Sequence, residues 1–320
     1  MNALPAGYRL RSPTLDDTPA IHNLLAAHDV AVIGFPDVTE DDVRDQFGEP
    51  GYDPATDGWL AIAGDGTAVG YAWVVCQGSA ASIDIEVAVH PAADFALAAY
   101  LLSRVERRAA EVGAAMGHGM VTVAKGAYRA AAQEAALLAA RGYMVATTFS
   151  RMAIALNDSA VPALPAGVDV VVCGTDDGLR RAAHAVKEEA FVDHFGTVAR
   201  TYEGWLAYHD GRSVTDWSQV WLARLDGRPA GMVLANNAFV DTDNAGYVQT
   251  LAVLPSARGR GLAKLLLRTA FAELRRRGRD QALLGVDTGN TTGALALYES
   301  LGMRPTLQID IWHRDLPTSC

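Results

Sequence analysis

Apolar residues along this chain recur at two periods, near 3.6 and near 2, and the order in which those periods alternate occurs twice. In the second half, Val168 to Val172 is a β-branched run and Gly178 to Phe191 carries apolar residues at helical spacing. Thr201 to His209 has the length of a further helical turn or two. Val220 to Arg224 and Ala230 to Asn236 read as strands around Asp226-Gly227-Arg228-Pro229, so a hairpin is expected there. Tyr247 to Val253 is a strand closed by Pro255. Leu262, Leu265, Leu266, Thr269, Ala270 and Leu274 then mark one face of a helix reaching Arg277. Ala282 to Val286 is a short apolar strand, Thr292 to Leu301 a helix stopped by Gly302, and Leu307 to Trp312 a last strand.

Landmarks of this half have counterparts in the first. Gly7-Tyr-Arg-Leu-Arg answers to Gly167-Val-Asp-Val-Val, and Trp59-Leu-Ala-Ile-Ala to Trp221-Leu-Ala-Arg-Leu. Val87-Ala-Val-His-Pro answers to Leu251-Ala-Val-Leu-Pro, and Ala140-Arg-Gly-Tyr to Ser300-Leu-Gly-Met. The offsets are 160, 162, 164 and 160 residues, so order and spacing are both kept. Between the copies, Asn157-Asp-Ser-Ala-Val-Pro-Ala-Leu-Pro-Ala-Gly has two prolines and no amphipathic period, which marks a linker. Two domains are therefore expected, residues 1–157 and 158–320. Each is of α/β (α+β) class, with strands and helices in the same order.

Composition supports two ordinary cores: half of the 320 residues are hydrophobic and 20% are charged. No run approaches the roughly 18–20 apolar residues that span a bilayer. The opening Met1-Asn-Ala-Leu-Pro-Ala-Gly lacks the basic and apolar regions of a secretion signal, so a cytoplasmic location is expected. Cys76, Cys173 and Cys320 are odd in number and widely spaced, reading as two core fillers and a tail thiol, with no metal site. A net charge of -10 argues against nucleic acid or an anionic membrane as partner. Against that background, eight basic residues crowd positions 258–279. By itself such a run is a solvated helix face.

What precedes this run changes its meaning. In Leu251-Ala-Val-Leu-Pro-Ser-Ala-Arg-Gly-Arg-Gly-Leu-Ala-Lys a strand ends, a short loop turns, and a helix begins on Arg258-Gly259-Arg260-Gly261-Leu262-Ala263. Small residues let backbone approach a bulky anion, and the first N–H groups of the helix point at it with the positive end of the helix dipole behind them. Arg258 and Arg260 add charge. The loop is no Walker motif, since no Gly-Lys-Ser/Thr follows. Lys264 stands where a dinucleotide fingerprint needs a glycine.

This segment resembles the cofactor loop of the GNAT acetyltransferases, Gln/Arg-x-x-Gly-x-Gly/Ala, through Arg258, Gly261 and Ala263. Downstream, Asn290-Thr-Thr-Gly-Ala-Leu-Ala-Leu-Tyr298 followed by Leu301-Gly302-Met resembles the family's second signature, Asn-x3-Ala-x3-Tyr with Leu-Gly-Phe. The resemblance covers residues 167–315 directly and the first half through the repeat. It implies two tandem GNAT folds, each a mixed, mostly antiparallel sheet flanked by helices, and transfer of an acetyl group from acetyl-CoA to a primary amine of a small molecule or peptide. By the same resemblance the Leu251 amide faces the thioester oxygen, Val253 pairs with the pantetheine amides, Asn290 holds the pantetheine arm, and Tyr298 protonates the departing thiolate.

The general base is left open. Tyr247 stands where some members carry a glutamate, and Gln249 and Thr250 take no proton near neutral pH. A water relay toward Asp287 is one route. Glu189, Asp193 and His194, in the helical region that shapes the acceptor pocket in this fold, are another, as against a plain charged helix end.

The first copy has lost the signatures. Aligning Pro91 with Pro255 sets Asp94, Phe95, Ala96 and Leu97 against Arg258, Gly259, Arg260 and Gly261, and Leu138 against Tyr298. It reads as a non-catalytic partner. Tandem copies with a degenerate first half also resemble the mycothiol synthase type of acetyltransferase, which acetylates a cysteinyl amine. Another small amine or a peptide N-terminus is an equal acceptor, and a CoA-binding regulator without turnover is the non-enzymatic alternative. A monomer or a homodimer is compatible with all of these.

Overall fold

The computed structural model describes residues 3–76, 81–157, 161–192, 199–289 and 293–318. The first half opens with β1 (Tyr8–Arg11) and passes through a single 3-10 turn into α1 (Thr18–Ile33). α2 (Glu40–Phe47) starts on a reciprocal cap, in which the Thr39 hydroxyl accepts from the Asp42 amide and the Asp42 carboxylate from the Thr39 amide. After the one-turn α3 (Pro54–Asp57) come β2 (Gly58–Ala63), β3 (Ala68–Cys76) and β4 (Ser82–Val89), then α4 (Ala96–Ala115), β5 (Met120–Tyr128), α5 (Ala132–Ala140) and β6 (Met144–Ala155).

The second half repeats the plan: β7 (Val168–Val172), α6 (Asp177–Ala190), α7 (Tyr202–Asp210), β8 (Val220–Leu225) and β9 (Arg228–Phe239). A turn of helix not expected from the sequence, α8 (Val240–Asp243), leads into β10 (Ala245–Val253), α9 (Leu262–Arg276), β11 (Gln281–Asp287), α10 (Ala294–Ser300) and β12 (Arg304–Pro317).

Two compact units result: residues 1–149 with 308–320, and residues 150–307. The boundary expected at 157/158 thus differs from the observed one at both ends of the second copy. β12 is longer than the expected Leu307–Trp312, because it pairs antiparallel with β5 from Ile309 to Pro317. Its polar stretch is held there by side chains of the first unit: Arg314 bonds to Glu106 at 2.8 Å, and Thr122 donates to Asp315 at 2.7 Å. In return the second unit's core holds Met152 and Leu156, both 0% exposed.

Within the first unit the strand order is β1-β2-β3-β4-β5-β12, and within the second β6-β11-β10-β9-β8-β7. Each sheet is mixed and mostly antiparallel, with a parallel pair at its centre: β4 with β5, and β10 with β11. Leu97, Leu101 and Val105 of α4 pack on one sheet, and Leu266, Ala270 and Leu274 of α9 on the other. The α9 residues are the apolar stripe read from the sequence. Cys76 and Cys173 are buried free thiols, as expected of core fillers. Cys320 lies outside the described residues.

Candidate functional site

The second unit's parallel pair comes apart at its C-terminal end. β10 and β11 are in register from Ala245↔Gln281 to Val248↔Leu284, and there the pairing stops although both strands continue. On its other side β10 keeps its ladder to β9 as far as Val253↔Gly231, with a register shift between Val248 and Thr250. The extra residue, Gln249, is a bulge of the kind that bends one strand away from its neighbour. Its side-chain carbonyl accepts from the Asn236 amide at 3.1 Å, which ties the bulge to β9.

Ladder geometry then fixes where the backbone points. The Leu254 amide donates to the Ala230 carbonyl at 2.9 Å. In an antiparallel ladder bonded residues alternate, so Ala252 also faces β9 while Leu251 and Val253 turn their amides away, toward the side β11 has vacated. The Val253 carbonyl on that side accepts from Arg258 Nε at 3.3 Å.

Beyond β10 the chain makes a 3-10 turn at Pro255–Ala257 and reaches Arg258-Gly259-Arg260-Gly261. Gly259 and Gly261 have φ of 76° and 77°, a conformation that L side chains rarely adopt, and a Cβ built on either meets no atom within 4 Å. Gly261 starts α9, and no side chain caps that helix. An uncapped helix start, open space before it, and exposed Arg258 and Arg260 are what a pyrophosphate would need. Leu262 is buried beneath the turn and Ala263 half-buried. The basic run divides here. Arg277 bonds to Asp216 at 2.7 Å and to Glu273 at 2.8 Å, and Arg276 bonds to Glu273 at 2.6 Å, so these arginines serve the far end of the helix.

Tyr298, on α10, is 8% exposed in the core cluster that also packs Leu251 and Val253. Burial, and secondarily the neighbouring Tyr247, push its pKa up to about 12, so the phenol keeps its proton at neutral pH. The Tyr247 ring stands edge-on to Phe239, with centroids 5.3 Å apart, and the Arg151 guanidinium lies 4.4 Å over Phe239. Sequence reading missed this Arg151–Phe239–Tyr247 stack, since its members come from three strands with no common motif. It also missed the bulge at Gln249, which leaves no mark in an apolar pattern. Asp287, ending β11, accepts the Gly289 amide at 2.9 Å. Glu189 is exposed near the end of α6. Asp193, His194 and Asn290 lie outside the described residues.

The first unit is built differently at matching positions. The Asp94 carboxylate accepts the Ala96 amide at 2.8 Å, so a side chain of the same polarity as a phosphate already uses the start of α4. Leu138, opposite Tyr298 in the repeat, is 1% exposed. Among the described residues no group of three or more His, Cys, Asp or Glu is placed to hold a metal ion, and no helix is long and apolar enough to cross a membrane.

Residues 184–303 match the acetyltransferase (GNAT) family. Over 259 residues the chain is 30% identical to a mycothiol acetyltransferase of Thermomonospora curvata, covering 79% of this chain and 80% of that one. The mycothiol acetyltransferase of Salinispora arenicola is 32% identical over 75% and 76% of the two chains. The chain belongs to the GNAT acetyltransferase family. Among solved structures, a GCN5-related N-acetyltransferase from Sphaerobacter thermophilus superposes with a TM-score of 0.83 at 27% identity, covering 98% of each chain. A tandem GNAT protein from the clavulanic acid biosynthesis pathway shares the fold, with a TM-score of 0.74 at 16% identity. This tandem GNAT is accordingly an N-acetyltransferase that acts on an amine.

Proposed function

We propose that the second unit carries the reaction alone, taking the acetyl group from acetyl-CoA and passing it to the cysteinyl amine of a sugar-linked thiol, as in mycothiol formation. The observation that carries the proposal is the parting of β10 from β11. It leaves the Leu251 and Val253 amides facing a gap beside an uncapped helix start, a combination tied to Gly259 and Gly261.

Arg258, Arg260 and the first amides of α9, from Leu262 on, hold the pyrophosphate, and Gly259 and Gly261 keep its space free. The Val253 backbone aligns the pantetheine arm, with Asn290 assigned to the same arm by the family signature. When bound, acetyl-CoA supplies an activated acyl group. The Leu251 amide stabilises negative charge on the carbonyl oxygen as the amine attacks, a preorganised donor that needs no rearrangement. Tyr298 holds the proton that the departing sulfur takes up. Its raised pKa suits an acid that must stay protonated until the carbon–sulfur bond breaks. The proton lost by the amine leaves through water toward Asp287. Tyr247, backed by Phe239 and Arg151, is the wall that meets the acceptor, joined by Gln249.

The choice of acceptor is supported by the similarity to the mycothiol acetyltransferase of Thermomonospora curvata over 80% of its length. Acetyl transfer to a cysteinyl amine on an amino sugar should be measured against transfer to the free amino sugar and to a peptide N-terminus. Preference for either of the latter two would replace this acceptor. Acetyl-CoA binding with no transfer to any amine would leave a cofactor-binding protein without turnover.

A further inference from the structure

We propose that the first unit holds a ligand site of its own, a cavity between α1, α2 and the β4–β5 parting that binds a small organic cation, a protonated amine. The cavity has a volume of about 360 Å³, within the range of small-molecule pockets, and every residue lining it belongs to the first unit.

Its chemistry is concentrated where β4 leaves β5. Those strands are in register only from Ser82↔Thr122 to Asp84↔Ala124. Just beyond, Lys125 lies 4% exposed, its ammonium 2.6 Å from Glu86 Oε1, 3.1 Å from the Gly126 carbonyl and paired with Glu134. By the repeat, Lys125, Glu134 and Glu86 stand at the positions of Gly285, Ala294 and Thr250. The first copy has therefore exchanged small or neutral groups for three charges at the place where the second keeps its reaction gap.

Charge decides which ligand fits. Four carboxylates line the cavity, those of Asp29, Asp42, Glu86 and Glu134, against two basic groups, the Lys125 ammonium and the His28 imidazole. Burial works to lower the Lys125 pKa, but Glu134 and Glu86 outweigh it and raise it, so the lysine is charged and already counted. His28, 3.7 Å from Asp29, is also shifted toward its protonated form, first by Asp29 and then by Glu134 and Glu86. Both basic groups at the cavity are thus held toward their charged forms by these carboxylates. A self-contained ion cluster would balance its charge, because uncompensated buried charge is costly. This one leaves an excess of carboxylate that an anion would worsen and an ammonium would relieve. Tyr71, Trp73 and Tyr128 supply aromatic wall, and aromatic faces attract cations through their ring quadrupole.

The inference does not rest on acetyl transfer by the second unit. Calorimetric titration of the full chain with benzylammonium, benzyl alcohol and benzoate compares three ligands of one shape and different charge. Benzylammonium is expected to bind with one saturable site in the first unit, at least about tenfold more tightly than benzyl alcohol, and benzoate not to saturate. Gln46→Lys, on the half-buried face of α2 at the cavity, should weaken benzylammonium at least about fivefold, and Glu134→Gln should do the same. If Glu134→Gln does not fold, Gln46→Lys carries the test. Acetyl-CoA titrated into the same variants reads the second unit separately and should be unchanged. Equal binding of the ammonium and the alcohol, or benzylammonium bound by Gln46→Lys as by the wild type, would overturn the proposal.

Discussion

The Leu254 amide donates to the Ala230 carbonyl at 2.9 Å, and this bond turns the Leu251 and Val253 amides away from β9. Because it puts Leu251 out of the β9 ladder, the Leu251 amide has no structural bond to lose on that side. Leu251→Pro removes the amide while a proline can still follow the extended path. The turnover number is expected to fall on the order of 10²–10³-fold, the usual cost of one oxyanion donor. The far-ultraviolet spectrum should stay as in the wild type. Normal turnover in a folded Leu251→Pro enzyme would take the amide out of the mechanism.

Acetyl-CoA should bind once per chain. Gly261→Val places a branched side chain in the space before α9 and forces it into a left-handed conformation, a strain on the order of 1–2 kcal/mol. Calorimetry is expected to show one site in the wild type and an affinity at least about tenfold lower in the variant. Two equivalent sites would mean that Asp94 does not close the first copy to the cofactor.

His209 on α7 is 4% exposed, and burial, followed by Arg212, Arg200 and Lys187, lowers its pKa to about 4. The folded state therefore refuses a proton that the unfolded chain takes near its ordinary value of about 6.5. Stability is present in full above that value and falls as pH drops toward 4. At pH 5 the loss is about 2 kcal/mol. Melting temperatures at pH 7 and pH 5 should differ more for the wild type than for His209→Gln. Equal differences in the two proteins would count against a buried neutral histidine.

Much of this architecture was legible before any coordinates, and the reasons are local. The stripe of Leu262, Leu266, Ala270 and Leu274 names a helix and its buried face by spacing alone, and Gly259 and Gly261 mark a loop open to a bulky anion, whose left-handed backbone only the structure shows. Pairing partners were not legible. A sequence repeat assigns each copy its own last strand, since homologous strands carry the same apolar pattern whichever sheet they join. Only the ladder from Ile309 to Pro317 reveals that β12 completes the first unit. Lys125, Glu86 and Glu134 were invisible for the same reason, being spread over 49 positions and joined only by the parting of β4 from β5.

That exchange bears on where the chain can be cut. A fragment of residues 158–307 lacks Met152 and Leu156, and each buried side chain of this size contributes about 2–5 kcal/mol. It is expected to show no cooperative melt, whereas a fragment of residues 150–307 should show one. A cooperative transition in the shorter fragment at the temperature of the full chain would mean that the second core does not need β6.

Acetyl transfer by Tyr298→Phe and by the wild type, at saturating acetyl-CoA with the cysteinyl amine as acceptor, is the most direct measurement of all. The phenyl ring still packs among Leu251, Val253 and Val286, so the KM for acetyl-CoA should hold. The turnover number should fall on the order of 10²–10⁴-fold with loss of the positioned acid. Turnover equal to the wild type, in conditions where the chemical step limits the rate, would contradict acetyl transfer through Tyr298 in the second unit.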